Sequence, residues 1–352
     1  MKMVSALAAE PTNVTLYGFT GDQPTNVGDL VNRFQLSSDS FQISLRKDHR
    51  RFGGRFLGGL NAALNAKFSG ENHAIARCPY SALMAVSLGI KTILEIHVIP
   101  RESSRKRGLI RRLLKSKNLV AVVVITDMLR QDFNDTFDDS SGRPCLVIPD
   151  GADVVRDDQI DGKIDLGYET NIGYVGSLYP GKGVEVVEQL AAKNPDVGFH
   201  VVGGSGTIFE SKVNANHLNN LTFHGYQKQR QVGRFLKGFD VVLLPNQQYV
   251  EDTSGKDIGR WTSPLKLFEY MANGKPILSS DLPVLREILV NGHNALLCEA
   301  DNIESWQSAL LRLLGDDVLR KKIASQAKMD LEQRYSWTQR SRLLLNAHTS
   351  KG

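Results

Sequence analysis

TSPLKLFEYMANGKPILSSDLPVLRE, which runs from Thr262 to Glu287, contains the signals for a helix start, a helix end and a following strand. Ser263 is predicted to be the N-cap residue and Pro264 the first helical residue, where the missing N–H of proline costs no hydrogen bond. Gly274 suits the left-handed residue that follows a helix end, and the strand Ile277–Ser279 comes next. The stretch therefore predicts one helix–strand unit of an α/β fold.

The predicted helix start is also a candidate ligand site. Its first N–H groups have no partner within the helix and lie at the positive end of the helix dipole, so they favour a phosphate. Glu269 is predicted to lie about one and a half turns further in, where its carboxylate can accept hydrogen bonds from a ribose diol. This pairing suggests a nucleotide site. On local spacing alone, however, an ordinary capped helix–strand unit is the preferred interpretation.

The stretch resembles the signature SPxKxFEYxAxGxPI of bacterial family 4 (group 1) glycosyltransferases, which are retaining enzymes of the two-domain GT-B architecture. The resemblance implies an α/β fold of two facing Rossmann-like domains, each a doubly wound parallel sheet. It also implies that the Glu269 carboxylate binds the ribose of a nucleotide-sugar donor. The donor diphosphate would lie at the helix start, which consists of Ser263, Pro264, Leu265 and Lys266.

Length and composition fit this architecture. The chain has 352 residues, enough for two domains, and its hydrophobic content of 41% and charged content of 23% are typical of a soluble globular protein. Its three cysteines show no CxxC spacing, which argues for reduced thiols in the cytoplasm and against a disulfide framework or a zinc site. The longest apolar run, Leu119–Ile125, is too short to span a bilayer and indicates a buried strand.

Strands alternate with helices in both halves, which predicts mostly parallel sheets covered on both faces. We expect an N-terminal acceptor-side domain over residues 1–151, a linker over 152–170, a nucleotide-sugar-binding domain over 171–335, and a final helix over 336–352 that crosses back to the N-terminal domain. Met1–Ala9 resembles the tail of the family's first helix and Val14–Phe19 its second strand. The family's first strand and Gly-rich loop are therefore expected to be missing.

The segment VGSLYPGKG supplies further candidate phosphate ligands. Its glycines, including Gly176, allow a close backbone approach, and Lys182 offers a positive charge. The segment resembles the family's GRLxxxKG motif, whose basic pair clamps the diphosphate. Lys182 matches that motif, whereas Ser177 stands where the family has arginine. The same resemblance places Gly204, Tyr226 and Asn246 along the rim of the donor site.

Two further comparisons with the family concern the sugar. The first Glu of the family's E-x7-E motif, which touches the donor sugar, is Trp261 here, so Asp257 and Arg260 become candidate sugar contacts. His97 ends the strand Lys91–Ile96 in an EIH segment that matches an ExH of relatives, where the His contacts the sugar near the reacting carbon. A structural His at a strand end is the alternative. The resemblance thus predicts catalytic roles for His97, Lys182 and Glu269.

No His, Asp and Glu cluster has the spacing of metal ligands, and there is no DxD motif. We therefore expect no metal cofactor. Lys182, Lys266 and the helix start would instead balance the charge of the diphosphate.

Basic residues concentrate in the first half. Residues 1–150 hold 20 Lys and Arg against 14 Asp and Glu, a net charge of 20 − 14 = +6, and most of the excess lies in Arg46–Arg55 and Arg101–Lys117. A basic amphipathic helix in the second segment suits an anionic membrane surface at the inner face of the cell membrane, and a merely solvated basic face is the equal alternative. Nucleic acid is not expected, because no binding motif accompanies the charge. The candidate membrane or acceptor contacts are Arg105, Lys106, Arg107, Arg111 and Arg112.

These features together predict a retaining, metal-independent hexosyltransferase. It would move a sugar from a donor such as a UDP- or GDP-sugar to a glycan or lipid-linked acceptor, in cell-surface polysaccharide or lipopolysaccharide synthesis. Two alternatives stay open: a sugar-nucleotide epimerase of the same architecture, and a non-catalytic protein that binds sugar nucleotides or serves as a scaffold.

Overall fold

The computed structural model describes residues 1–20, 26–34, 41–47, 54–137, 142–156, 162–251, 255 and 257–349. The chain divides into two compact units. Unit 1 consists of Met1–Pro149 and Trp337–Gly352, and unit 2 consists of Asp150–Ser336. Most of the basic segment Arg46–Arg55 lies outside the described residues.

The elements alternate along the chain as the sequence predicts. The strands are β1 Thr15–Thr20, β2 Gln42–Lys47, β3 His73–Ala76, β4 Lys91–Ile96, β5 Leu119–Val124, β6 Cys145–Val147, β7 Asn171–Val175, β8 Gly198–Val202, β9 Leu221–Gly225, β10 Val241–Leu244, β11 Ile277–Ser280 and β12 Leu296–Cys298. The helices are α1 Lys2–Ala8, α2 Val27–Phe34, α3 Gly54–Phe68, α4 Pro79–Ser87, α5 Arg105–Leu114, α6 Asp127–Phe137, α7 Val184–Lys193, α8 Gly206–Ala215, α9 Gln229–Gly238, α10 Leu265–Ala272, α11 Ile303–Gly315, α12 Asp317–Asp330 and α13 Trp337–Thr349.

Unit 1 contains two parallel sheets among its described residues. One has the order β3-β4-β5-β6, and the other is the pair β1-β2. The apolar side chains of Ile93 and Val123 on one face of the larger sheet pack with Leu344 and Ala347 of α13. The last helix therefore covers this sheet. The expected absence of the family's first strand and Gly-rich loop stays a prediction.

Unit 2 is built on a single six-stranded parallel sheet with the order β12-β11-β10-β7-β8-β9. The chain moves outward from β7 through β8 to β9, then returns to β10 on the other side of β7. The strand order therefore reverses between β7 and β10. In open α/β sheets, ligands bind outside the carboxyl ends of the strands at such a reversal. Two Rossmann-like α/β units with parallel sheets confirm the predicted fold class.

Three helices, α2, α6 and α8, have no counterpart in the sequence prediction. Helix α6 buries Leu129, Phe133 and Phe137, which repeat every four residues, and the Thr126 Oγ1 accepts from the N–H of Leu129 at 3.2 Å as a cap. Apolar residues at this spacing are typical of an amphipathic helix, so α6 could have been predicted from the sequence.

The stretch Asp317–Tyr335 consists of two elements. These are α12 and a π-helical turn, Leu331–Tyr335, that precedes α13. None of the helices in the described part of the chain is both long and apolar enough to cross a bilayer.

Candidate functional site

Helix α10 begins one residue later than predicted. Pro264 has φ −74° and ψ 116°, an extended conformation, so it occupies the N-cap position and Leu265 is the first helical residue. The assignment of Ser263 as N-cap is therefore wrong, because Pro264 does not take helical dihedrals. No side chain caps the helix start. The Leu267 N–H donates to the Pro264 carbonyl at 2.9 Å, which leaves the N–H groups of Leu265 and Lys266 for another acceptor, the condition for binding an anion.

The helix end agrees with the sequence. Gly274 has φ 58°, its N–H donates to the Met271 carbonyl at 3.0 Å, and the Lys275 N–H donates to the Tyr270 carbonyl at 3.1 Å. This pair of bonds is a Schellman motif, which needs a left-handed residue at Gly274. The Tyr270 hydroxyl accepts from the Val175 N–H at 2.8 Å. Helix α10 is therefore fixed to the carboxyl end of β7.

Glycines allow the loops at this edge of the sheet to approach one another. A Cβ built on Gly181 would lie 1.8 Å from the Tyr249 carbonyl oxygen, and one on Gly183 would lie 1.8 Å from the Pro245 carbonyl oxygen. Both glycines have φ 80°, a region that other residues rarely adopt. The loop after β7 therefore packs against the segment after β10, at the reversal of strand order.

Lys266 lies directly over the same loop. A Cβ built on Gly176 would be 1.7 Å from the Lys266 Nζ, and this Nζ is 5.2 Å from the centre of the Tyr174 ring. The Tyr174 hydroxyl donates to the Ser177 carbonyl at 2.7 Å. Ser177 thus contributes a backbone contact that holds the Tyr174 ring in place.

The structure brings Lys182 and Lys266 into electrostatic contact. Burial and the nearby charge of Lys182 lower the pKa of Lys266 to about 7, against the opposing effect of Glu269. Burial also lowers the pKa of Lys182. Neither ammonium has a hydrogen bond or ion pair to any residue that the structure describes. Glu269 offsets only part of the repulsion between the two amines, so together they form a site that a bound anion would stabilise.

Glu269 lies on the next turn of α10 and is partly buried. Burial raises the pKa of its carboxyl group, whereas the hydrogen bond from Gln229 and the charge of Lys266 oppose the rise. The Gln229 Nε2 donates to the Glu269 Oε1 at 3.1 Å. Gln229 is not among the candidate ligand-binding residues predicted from the sequence. It begins α9, 40 residues before Glu269, and no local pattern connects the two.

The other predicted donor contacts lie at the ends of neighbouring strands. Tyr226 follows β9 and is 68% exposed, so its ring is accessible. Gly204 follows β8, with φ 81° and Leu178 against its α-carbon. Asn246 follows β10 and is only 4% exposed, yet its Nδ2 has no hydrogen-bond partner among the described residues. A buried amide donor without a partner is costly, so Asn246 is a strong candidate for a ligand contact.

Asp257 has a structural role in the loop before α10. Its Oδ1 accepts from the N–H groups of Val250 at 3.1 Å and Gly259 at 2.8 Å. These bonds fix the turn that leads to the helix start. A sugar contact by Asp257 or Arg260 stays a prediction.

His97 belongs to unit 1, where it follows β4. Its Nε2 is 2.5 Å from the Glu95 Oε1, and its Nδ1 is 3.0 Å from the Arg77 Nη2. Glu95 is buried and also contacts Arg340 of α13. Arg340 lies 245 residues from Glu95, so no local pattern in the sequence connects the two.

The basic helix α5 differs from a membrane-inserting amphipathic helix. Its apolar residues Ile110, Leu113 and Leu114 are buried within unit 1 and are therefore unavailable to lipid. Of its basic residues, Arg105, Arg111 and Arg112 are exposed and Lys106 is half-buried, whereas the Arg107 Nε donates to the Pro100 carbonyl at 2.9 Å. The surface that α5 exposes to a partner is therefore charged and not apolar.

Within the described residues, no three His, Cys, Asp or Glu side chains are arranged to hold a metal ion. The predicted independence from metal is not tested by this observation and stays a prediction.

The amino-acid sequence is similar to that of known glycosyltransferases. Residues 159–330, nearly half of the chain, match the family model described as "Glycosyl transferases group 1". The phosphatidyl-myo-inositol mannosyltransferase of Mycolicibacterium smegmatis is 28% identical over 206 residues, which cover 56% of this chain and 50% of that protein. The chain spans about half the length of the curated relatives it matches.

Solved structures show the same fold over nearly the whole chain. Sucrose-phosphate synthase from Thermosynechococcus elongatus has a TM-score of 0.72 at 15% identity, and the alignment covers 99% of this chain and 91% of that one. Anabaena HepE in complex with UDP has a TM-score of 0.72 at 14% identity, with 99% and 94% covered. At these identities the likeness establishes the GT-B fold and nothing finer.

Proposed function

We propose that this protein is a retaining glycosyltransferase that moves a hexose from a nucleotide-sugar donor to a glycan or lipid-linked acceptor. The observation that carries the proposal is the proximity of the Lys182 and Lys266 side chains, neither of which has a hydrogen bond or ion pair to a described residue. Lys266 lies in the first turn of α10, which no side chain caps, one helical turn before Glu269. A nucleoside diphosphate would bring phosphate oxygens to the two lysines and to the N–H groups of the helix start, and ribose hydroxyls to the Glu269 carboxylate.

Each group has a separate task in this proposal. The leaving diphosphate gains negative charge as the bond to the sugar breaks, and the two ammonium groups with the N–H groups of α10 stabilise that charge. The Glu269 carboxylate, held by Gln229, accepts hydrogen bonds from the ribose hydroxyls. The role of His97 as a contact of the donor sugar rests on the resemblance of its EIH segment alone and is part of the same proposal. The acceptor hydroxyl attacks from the side of the leaving group, which gives retention.

Two relatives support the choice of substrates. The HepE structure contains UDP, and the mycolicibacterial relative is named for a phosphatidyl-myo-inositol acceptor. We therefore favour UDP-sugars first and GDP-sugars second as donors, and lipid-linked glycans as acceptors in cell-surface polysaccharide or lipopolysaccharide synthesis. Membership in the SPxKxFEY subgroup is part of the same proposal.

Binding of UDP and GDP by isothermal titration calorimetry tests the donor site. Lys182→Ala should weaken UDP far more than uridine, because the ammonium contacts phosphate, and Glu269→Ala should weaken both by about 1.5–3 kcal/mol. Lys193→Ala, which removes an exposed ion pair to Glu304 in the same unit, is the matched control. Equal losses for UDP and uridine in Lys182→Ala would show a structural effect and contradict the assignment.

Turnover separates this function from its alternatives. The full chain is incubated with a panel of UDP- and GDP-sugars, with lipid and glycan acceptors and with added chelator. A glycosyltransferase forms a glycosylated acceptor and releases nucleoside diphosphate at the same rate with chelator. An epimerised donor without acceptor, or tight binding without any product, would instead favour the epimerase or the binding protein.

We also propose that α5 docks unit 1 on an anionic membrane at the cytoplasmic face. Since the apolar side of α5 is buried, the attraction is electrostatic, at about 1 kcal/mol per exposed basic residue. Arg111→Glu with Arg112→Glu should release the protein from vesicles that contain phosphatidylserine, as should moderate salt. The control is Lys321→Glu with Lys322→Glu on α12 of unit 2. Equal binding to neutral vesicles would leave only a solvated basic face.

A further inference from the structure

Glu95 is a buried carboxylate surrounded by three basic side chains. It lies in β4 with 5% of its surface exposed. Its Oε1 is 2.5 Å from the His97 Nε2, 3.4 Å from the Arg340 Nη2 and 3.6 Å from the Arg77 Nε. Burial alone would raise the pKa of Glu95, but the hydrogen bond to His97 and the charge of Arg340 outweigh it and lower the pKa to about 2. The carboxylate is therefore ionised and can only accept hydrogen bonds.

Arg340 fixes this carboxylate from a distant part of the chain. It lies on α13 and is only 2% exposed. Its Nε donates to the Pro149 carbonyl at 2.9 Å, and its Nη1 donates to the Glu95 Oε2 at 3.5 Å. One guanidinium thus connects β4, the end of unit 1's first segment and the last helix. Because both charges are buried, removal of either would leave the other without compensation.

The contacts of His97 determine which of its nitrogens carries the proton. The ionised Glu95 only accepts, so the His97 Nε2 must donate to it. The Arg77 guanidinium only donates, so the His97 Nδ1, 3.0 Å from its Nη2, must accept. Both contacts require the Nε2–H tautomer of a neutral ring. The Arg77 side chain is 68% exposed and can therefore leave, which frees Nδ1 as an acceptor.

We propose that Glu95 and Arg340 are positioning residues that fix His97 as the Nε2–H tautomer and so present its Nδ1 as a hydrogen-bond acceptor for a hydroxyl of a sugar substrate. The hydroxyl as partner of Nδ1 rests on the proposed function, whereas the tautomer does not. The alternative is that Glu95 and Arg340 form a purely structural ion pair. That alternative does not require a particular tautomer of His97, and the two are therefore separable by experiment.

Nitrogen-15 NMR of the histidine rings in the full chain tests the tautomer directly. At about pH 8.5, where an ordinary histidine is neutral, the signals lost in His97→Gln identify the ring, and its shifts should show the Nε2–H form. This measurement on the unaltered protein needs no variant to fold. An Nδ1–H form, or rapid exchange between both forms, would overturn the proposal.

Glu95→Gln should then reverse the tautomer. Arg340 can only donate, so the amide oxygen turns toward it and the amide NH2 turns toward His97, whose Nε2 must now accept. The expected form of His97 is Nδ1–H. Arg342→Met is the matched control, because it removes an ion pair of α13 with Glu10 and leaves Glu95 untouched. An unchanged tautomer in Glu95→Gln would contradict the proposal.

Activity supplies the second readout. Glu95→Gln should lower kcat with a donor sugar by about tenfold, typical of the loss of one hydrogen bond, while the Kd of UDP stays unchanged. Combined with His97→Ala it should cause no further loss, because both changes remove the same contact. Additive losses, or equal losses in kcat for Arg342→Met, would show a structural effect. If the protein bound no nucleotide at all, the proposed function would fail while the NMR result still decided the tautomer.

Discussion

Binding of a nucleotide should be accompanied by the uptake of one proton, and we expect the Lys266 amine to accept that proton. In the free protein, burial and the charge of Lys182 lower the pKa of Lys266 to about 7. A bound diphosphate places negative charge beside this amine, which should return its pKa toward the ordinary value of about 10.4. The amine is then mostly neutral before binding at pH 8.5 and mostly charged afterwards.

The size of the effect follows from that difference. At about pH 8.5 binding should take up nearly one proton, whereas at about pH 6 Lys266 should take up almost none, because it is already charged there. Between about pH 8 and pH 9 the Kd of UDP should therefore rise by up to tenfold. The ligand does not share in this change, since the last ionisation of a phosphate lies near about pH 6.

Calorimetry in two buffers with different ionisation enthalpies measures the proton uptake. Lys266→Met keeps most of the side chain but removes the charge, so it should abolish the uptake and weaken UDP at about pH 6 by about 1.5–3 kcal/mol. Lys193→Met, on an exposed lysine of the same unit, is the control. No uptake in the unaltered protein, or the same uptake in Lys266→Met, would refute the reasoning.

Three further predictions follow from single contacts. Gly176→Ala should displace the Lys266 ammonium, which lies 1.7 Å from the added Cβ, so UDP affinity should fall as much as in Lys266→Met while the melting temperature changes little. Gln229→Ala should weaken uridine and UDP alike by about 1 kcal/mol in calorimetry, because Glu269 loses one hydrogen bond, and an effect on UDP alone would contradict this. Burial, with the nearby His224, lowers the pKa of His200 to about 4, against about 6.5 in the unfolded chain. Between these two pH values only the unfolded chain binds the proton. The free energy of unfolding should therefore decline by up to about 3 kcal/mol as the pH falls from about 6.5 to about 4. Urea unfolding as a function of pH checks this, and an equal slope in His200→Asn would reject it.

Much of unit 2 could be predicted because its signals are local. The strands are short apolar runs, and α10 ends at a glycine whose left-handed conformation can be inferred from the sequence. The candidate phosphate ligand Lys182 lies in a Gly-rich turn between a strand and a helix, a pattern readable within a dozen residues. The start of α10 could not be placed to the residue, because Pro264 satisfies both the N-cap and the first helical position until its ψ is known.

The buried polar partners could not be predicted. Gln229 contacts Glu269 across 40 positions, and Arg340 contacts Glu95 across 245. Neither residue carries a local signature, since a glutamine at a helix start and an arginine in a basic helix are ordinary surface residues in the sequence.

The sequence by itself determined most of the helices and strands, the parallel character of the sheets and the identity of the candidate phosphate and ribose ligands, whereas α2, α6 and α8 were not predicted. These depend on hydrogen bonds and side-chain periods within a few residues of one another. Only the tertiary structure decided the order of the strands, the proximity of Lys182 and Lys266 and the tautomer imposed on His97. These depend on which groups meet after the chain has folded, where burial strengthens the interaction of charges that water would otherwise screen.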